Sequence, residues 1–483
     1  MASPGRHVTV LVFPFGSHPW PLANLTLKLA TAAPDVRFSF LNTAKSNGVI
    51  FSLPSRAELP PNVRVYDVGD SSPDDHHGQM KHPGELVSSF LKAAPDSFGA
   101  AVDAAEQDAG TKVSCLLTDA ILIFGCEMAE KMQVPWVTLW VPTPSALAAH
   151  VYIDVINELR RESSGGDAST DDDNDKSLEV IPGLSMMRIS DLPNEMVNDR
   201  DTSRIACMLR EMGRLLPRGA AAVVLNSYAE ANPTPLIADL KSKFKILLQV
   251  GCLTVSFPPP PPQSSISDTT GCLTWLDARD PRSVAYICFG TIATPSPSEV
   301  SALGEALEST ETPFLWSLKE HVLAYLPEGL QERTRAYGKF VPWAPQGQVL
   351  SHPACGVHVT HCGYNSVFES VAGGVPMVCK PCWTDNMMNG RMIEEVWGIG
   401  VKVEGGIITK DRMEKALEVV LRGEEGKEMR KKVGELRERL VEAAGPHGSA
   451  EADVKALVEL ISTSRSARCN SSNLQQSWIA LIA

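Results

Sequence analysis

The sequence predicts an α/β protein made of two doubly wound, parallel-sheet domains. Three observations carry that reading. Apolar strand-like runs alternate with helical segments. A run of five prolines interrupts the alternation near mid-chain, and the same alternation then restarts. The length of 483 residues also exceeds what one hydrophobic core holds and suits two large domains.

The elements follow in order. "HVTVLVF" (7–13) is a buried strand, and "PLANLTLKLATAA" (21–33) carries apolar residues at helical spacing. "VRFSFLNT" (36–43) alternates as a strand does, and "VSCLLTD" (113–119), "PWVTLWV" (135–141) and "AAVVLNS" (221–227) extend the series. Strands this apolar imply a parallel sheet covered on both faces. "SFPPPPPQSSISDTTG" (256–271) fits neither helix nor sheet interior and reads as a linker. Beyond it come "SVAYICFGT" (283–291), the helical "PSEVSALGEALES" (297–309), "PFLWSL" (313–318), "GVHVTH" (356–361) and "VPMVCKP" (375–381). The expected domains are therefore 1–255 and 272–462. A surface loop is expected over the acidic 160–177, and a partly disordered tail over 463–483. Ligands belong at the carboxyl ends of the strands.

Composition narrows the function. A net charge of −13 argues against nucleic-acid or anionic-membrane partners, which need concentrated Lys and Arg. No apolar stretch reaches the roughly 20 residues of a membrane span, and no cleavage pattern follows the first apolar run. Eleven cysteines without framework spacing fit a reduced, cytoplasmic protein.

"HVTHCGYNSVFES" (358–370) is the densest chemical stretch. As a metal site it fails, because His358 and His361 lie three apart on a strand and point to opposite faces. The "CKPC" at 379–382 has redox spacing but closes a strand rather than opening a helix, so two unlinked thiols are expected. An anion cradle fits. Gly363 allows a tight turn and close backbone approach. Asn365 and Ser366 then occupy the first helical turn, where unpaired N–H groups and a partial positive charge receive a diphosphate. His361 adds a donor, and Glu369, one turn on, can accept from a ribose diol. Helix capping alone would also explain Asn and Ser here.

The 44-residue stretch from Trp343 to Asn386, "WAPQGQVLSHPACGVHVTHCGYNSVFESVAGGVPMVCKPCWTDN", resembles the C-terminal signature of the plant UDP-dependent glycosyltransferases of the GT-B fold, two Rossmann-like domains. The resemblance extends over nearly the whole chain before the tail. It implies that Trp343 stacks on uracil and Ala344 pairs its edge, that Gln346 and Glu369 hold the ribose, and that Thr291, His361, Asn365 and Ser366 hold the diphosphate. Asp385 and Asn386 would face the sugar hydroxyls. No metal or other cofactor is implied; the UDP-sugar is a co-substrate, and a monomer is expected.

Glycosyl transfer to a hydroxyl needs a base. His18 lies in the loop after the first strand and Asp119 ends a later parallel strand, so both sit at carboxyl ends. A carboxylate on one imidazole nitrogen orients the other. The resemblance assigns His18 as base and Asp119 as its partner, with inversion in a single displacement. "FPFGSH", "HVYIDVINELR" and "FGTIATPSP" resemble the branch acting on the 3-hydroxyl of flavonols and anthocyanidins. His150 matches an acceptor-contacting position, and Gly84 stands where relatives often have Gln. Three positions bear on the donor. Asn386 replaces the usual Gln, Tyr364 a usual Trp, and Val141 a Thr expected to bond the sugar 6-hydroxyl. Val would leave that hydroxyl unpaired at a cost of about 1–3 kcal/mol, so UDP-rhamnose is the expected donor and UDP-glucose the alternative. A non-catalytic nucleotide-sugar-binding protein is a second alternative, opposed by the presence of both His18 and Asp119. A nicotinamide oxidoreductase is opposed by "GSHPWP" where G-x-G-x-x-G would stand.

Overall fold

The computed structural model describes residues 5–52, 58–69, 83–163, 176–197, 203–259, 268, 270–290, 294–382 and 385–463. Thr291, most of the acidic loop, the middle of the proline-rich linker and the tail beyond 463 lie outside them.

The chain divides into two compact units. The first holds a seven-stranded parallel sheet of β1 (Arg6–Leu11), β2 (Val36–Thr43), β3 (Val63–Val68), β4 (Cys115–Asp119), β5 (Trp136–Trp140), β6 (Ala222–Leu225) and β7 (Leu247–Gln249), in the order β3-β2-β1-β4-β5-β6-β7. Its register sets Leu11 beside Thr118 and Thr118 beside Thr138. Leu22, Leu25 and Leu29 of the helix Pro19–Ala32 pack on Val8 and Val10 of β1 and seal one face.

The second unit holds β8 (Val284–Cys288), β9 (Phe314–Ser317), β10 (Gly338–Val341), β11 (Cys355–Thr360), β12 (Met377–Cys379) and β13 (Gly400–Lys402), in the order β10-β9-β8-β11-β12-β13. Strand β8 shows the two-faced burial of a parallel sheet. Ala285 and Ile287 join one apolar cluster, while Val284 and Tyr286 join another. The helix Pro297–Ser309 begins on Pro and a reciprocal Ser296–Glu299 capping box.

The strands quoted from sequence all form; β3, β7, β10 and β13 were not among them. Three of these four have only three or four residues, too few for an alternation to register. Two segments depart from the expected domain bounds. The final helix, Ser449–Thr463, packs in the first unit through Val454, Leu457 and Ile461, and Asp453 accepts the Gln249 N–H at 2.6 Å. Residues 176–193 belong with the second unit. For the helix Ser449–Thr463, apolar burial rather than order along the chain decides the partner.

Candidate active site

In the first sheet the strand order reverses between β1 and β4, a switch point of the kind where open α/β sheets bind ligands. Asp119 is the last residue of β4, and His18 immediately precedes the helix Pro19–Ala32. Their side chains meet: His18 Nδ1 lies 2.8 Å from Asp119 Oδ2. The carboxylate is fully buried, whereas the imidazole side chain is 20% exposed. Asp119 Oδ1 accepts the Ile121 N–H at 3.0 Å, which fixes the carboxylate's plane. A carboxylate can only accept, so Nδ1 carries the hydrogen and the basic lone pair falls on Nε2. Phe13 meets the His18 ring edge-on at 5.3 Å, and Phe15 and Phe90 extend the aromatic wall at 5.2 Å and 5.4 Å. Such a wall suits a planar acceptor.

The other first-unit expectations fall in different surroundings. His150 is buried, and its Nδ1 donates to the Leu209 carbonyl at 2.8 Å, leaving Nε2 as the nitrogen a ligand could use. Burial lowers its pKa to about 4. Gly84 lies in the first turn of the long helix Pro83–Ala109. Val141 follows β5 and is 6% exposed within the first unit's apolar core.

In the second sheet the order reverses between β8 and β11. Gly290 follows β8 with φ of +74°, and His361 follows β11. A Cβ on Gly290 or Gly363 would collide with the His361 ring, so both glycines give the imidazole its place. Burial, with a smaller push from Lys319, lowers the His361 pKa to about 4 against the pull of the Cys288 carbonyl. The His361 imidazole is therefore neutral at physiological pH. The helix Tyr364–Gly373 opens directly after Gly363, with Asn365 and Ser366 in its first turn. Its N-terminus carries the partial positive charge that suits an anion.

Beside the cradle, Trp343 is 60% exposed, as a stacking platform must be, while Ala344 is buried. Gln346 links the polar groups. Its Nε2 donates to Ser366 Oγ at 2.9 Å and to Glu369 Oε2 at 2.5 Å, and its Oε1 accepts from the Tyr286 hydroxyl at 3.2 Å. Burial raises the Glu369 pKa despite the Gln346 amide. Tyr364 packs edge-on against Phe368 at 4.8 Å. Asp385 caps the short helix Asn386–Arg391, and Asn386 is 5% exposed. Asn389 on that helix donates to the Asp385 carboxylate at 3.2 Å and to the Cys362 carbonyl at 2.9 Å, tying it to the cradle.

The structure thus gathers Gln346, Ser366 and Glu369 into one network and sets His361 against Gly290 and Gly363 beside it. Sequence reading missed Tyr286, Gly290 and half-buried Lys319. A tyrosine in the otherwise apolar "SVAYICFG" was the available signal for the first. Among the described residues no group of three or more His, Cys, Asp or Glu is arranged to hold a metal ion, and the ten described cysteines are free. No described helix is long and apolar enough to cross a membrane.

Comparison with known proteins agrees with this fold. Residues 62–438 match the family model described as UDP-glucoronosyl and UDP-glucosyl transferase. A flavonol 3-O-glucosyltransferase of Actinidia chinensis var. chinensis is 45% identical over 95% of this chain and 98% of its own. An anthocyanidin 3-O-galactosyltransferase of Rhododendron delavayi is 44% identical, over 94% of this chain and 97% of its own. The solved structure of a UDP-glucose:anthocyanidin 3-O-glucosyltransferase in complex with UDP superimposes with a TM-score of 0.87 at 38% identity, covering 95% of this chain and 99% of that one. The two parallel Rossmann-like sheets are of the GT-B type, and the chain belongs to the UDP-glucoronosyl and UDP-glucosyl transferase family.

Proposed function

We propose that this protein transfers a sugar from a UDP-sugar to the 3-hydroxyl of a flavonoid, a flavonol or an anthocyanidin. The observation that carries the catalytic part is the 2.8 Å contact between His18 and buried Asp119. His18 Nε2 takes the acceptor's hydroxyl proton as the oxygen attacks the anomeric carbon. Asp119 stabilises the imidazolium that results. The bond from the anomeric carbon to the diphosphate breaks in the same step, so the configuration inverts. The charge left on UDP is received by the N-terminus of Tyr364–Gly373, with the His361 ring beside it. These groups supply the electrostatics, and the reading invokes no metal.

The relatives' names support the acceptor class, since they act on flavonols or anthocyanidins at the 3-O position. The same names support a hexose with a free 6-hydroxyl, so the proposed donor is UDP-glucose. The expectation of UDP-rhamnose is a second reading. It now leans on Asn386, because Val141 is packed in the first unit's core. Free thiols at ten described positions support a reducing compartment such as the cytoplasm, and the proposal takes the active form as a monomer.

The test offers myricetin, quercetin and cyanidin with UDP-glucose, UDP-galactose and UDP-rhamnose, separately and in competition. Product mass, attachment site and anomeric configuration are read. An inverted 3-O-glucoside as main product supports the proposal. A 3-O-rhamnoside as main product overturns the donor assignment, and absence of any 3-O-glycoside overturns the acceptor assignment.

A further inference from the structure

The helix Asn386–Arg391 has six residues, too few to hold itself in water. Its position comes from burial, with Met388 and Asn389 packed inside, and from its ends. Near the cradle, Asn389 ties it to the Cys362 carbonyl and to Asp385. At the far end Arg391 Nε donates to Asp191 Oδ2 at 2.9 Å. That pair is secluded, with side chains 14% and 3% exposed. The chain then passes without a break into a turn of π-helix, Met392–Val396.

Asp191 comes from two hundred residues earlier in the chain. It closes a short 3-10 turn, Ile189–Asp191, and the same Oδ2 accepts the Arg188 N–H at 2.9 Å, which locks the carboxylate's rotamer. Leu184, Met187, Ile189 and Leu192 around it are buried, so the turn is anchored by packing. The segment 176–193 belongs with the second unit although it lies within the first half of the sequence. Glu395 also approaches Arg391, at 3.6 Å, but it is 40% exposed and cannot replace a buried carboxylate.

We infer that Asp191 is a positioning residue for the donor sugar, acting through Arg391 on the helix that opens with Asp385 and Asn386. The inference rests on the proposed donor reading together with the resemblance's implication that those two residues face the sugar. It assigns a donor-side role to a residue of the acceptor half. Chimaeras joined at the proline-rich linker would therefore exchange this anchor together with the acceptor residues.

The test measures binding by calorimetry without acceptor, using UDP and UDP-glucose on the full chain. The proteins are wild type, Asp191→Asn, which keeps the shape and removes the charge, and Arg391→Lys, which keeps the charge and loses the fork. Asp191→Asn is expected to weaken UDP-glucose about tenfold while UDP stays within about twofold, with Arg391→Lys between. Retained UDP binding shows that the second unit is folded. Equal losses for the two ligands, or no loss for either, overturn the positioning role. Wild-type protein that binds UDP but not UDP-glucose overturns the donor reading and this inference with it.

Discussion

Gly290 and His361 are fitted so closely that a Cβ on the glycine would lie 2.7 Å from Cε1 and 2.8 Å from Nε2 of the imidazole. Gly290 also holds φ at +74°, which an L side chain rarely adopts. Gly290→Ala must therefore turn the ring out of the cradle or distort the end of β8. UDP affinity is expected to fall at least about tenfold, read by calorimetry, with Gly363→Ala behaving alike because its Cβ would come within 2.4 Å of Nε2. Unchanged affinity in both variants would remove His361 from diphosphate binding.

His18 and Asp119 are expected to separate chemistry from binding. His18→Ala should lower kcat by about 10³–10⁴ and leave UDP affinity within about twofold. Asp119→Asn keeps the shape but cannot select the Nδ1–H tautomer in the same way, and a loss of at least about 10² in kcat is expected. Steady-state kinetics beside calorimetry distinguishes this from misfolding, which would abolish both.

Tyr286 reaches the ligand side through Gln346. Removing its hydroxyl in Tyr286→Phe frees the Gln346 amide that is bonded to Ser366 and Glu369. One lost hydrogen bond of about 1 kcal/mol predicts a roughly fivefold rise in KM for the UDP-sugar. The KM for the acceptor should stay constant; a rise in both would point to general loosening of the sheet.

Three histidines set an acid limit on stability. Burial lowers the pKa of His150 and His361 to about 4 and of His358 to about 3. An unfolded histidine titrates near 6.5, so below that pH the unfolded chain binds protons that the folded one refuses. Stability is full above about pH 6.5 and falls as pH drops towards 4, with a slope nearing about 1.4 kcal/mol per pH unit for each histidine. Urea unfolding at several pH values reads the slope. His358→Gln should flatten it, and an unchanged slope would locate the acid sensitivity elsewhere.

Gly213 tests the packing beneath His150. A Cβ there, on the helix Arg204–Gly219, would fall 1.7 Å from the His150 carbonyl oxygen, which belongs to the backbone of the helix Pro144–Val151. Gly213→Ala is expected to destabilise the first unit by about 3 kcal/mol, seen as a drop of several degrees in Tm. A Tm within one degree of wild type (about the error of a melt) would mean the two helices separate freely.

Local chemistry was legible in the sequence. The strand–glycine–helix junction at 358–370 announced its cradle because turn, donor and helix start are contiguous. His18 and Asp119 were legible because the carboxyl ends of neighbouring parallel strands converge. Asp191 and Arg391 were not, since no local period links two residues so far apart. The burial of Val141 was not legible either, for a related reason. A valine that ends a strand looks the same in sequence whether its methyls meet a ligand or the core.

The return of the helix Ser449–Thr463 to the first sheet has a consequence for biosynthesis. Val454, Leu457 and Ile461 complete an apolar core whose other members were translated far earlier. At about 5–20 residues per second, the ribosome needs roughly 10–40 s to travel from the end of β7 to this helix. Throughout that interval the nascent first unit presents an unsealed greasy face while the second unit is still emerging. The protein's most exposed moment to chaperones and to self-association is thus set by the order of translation.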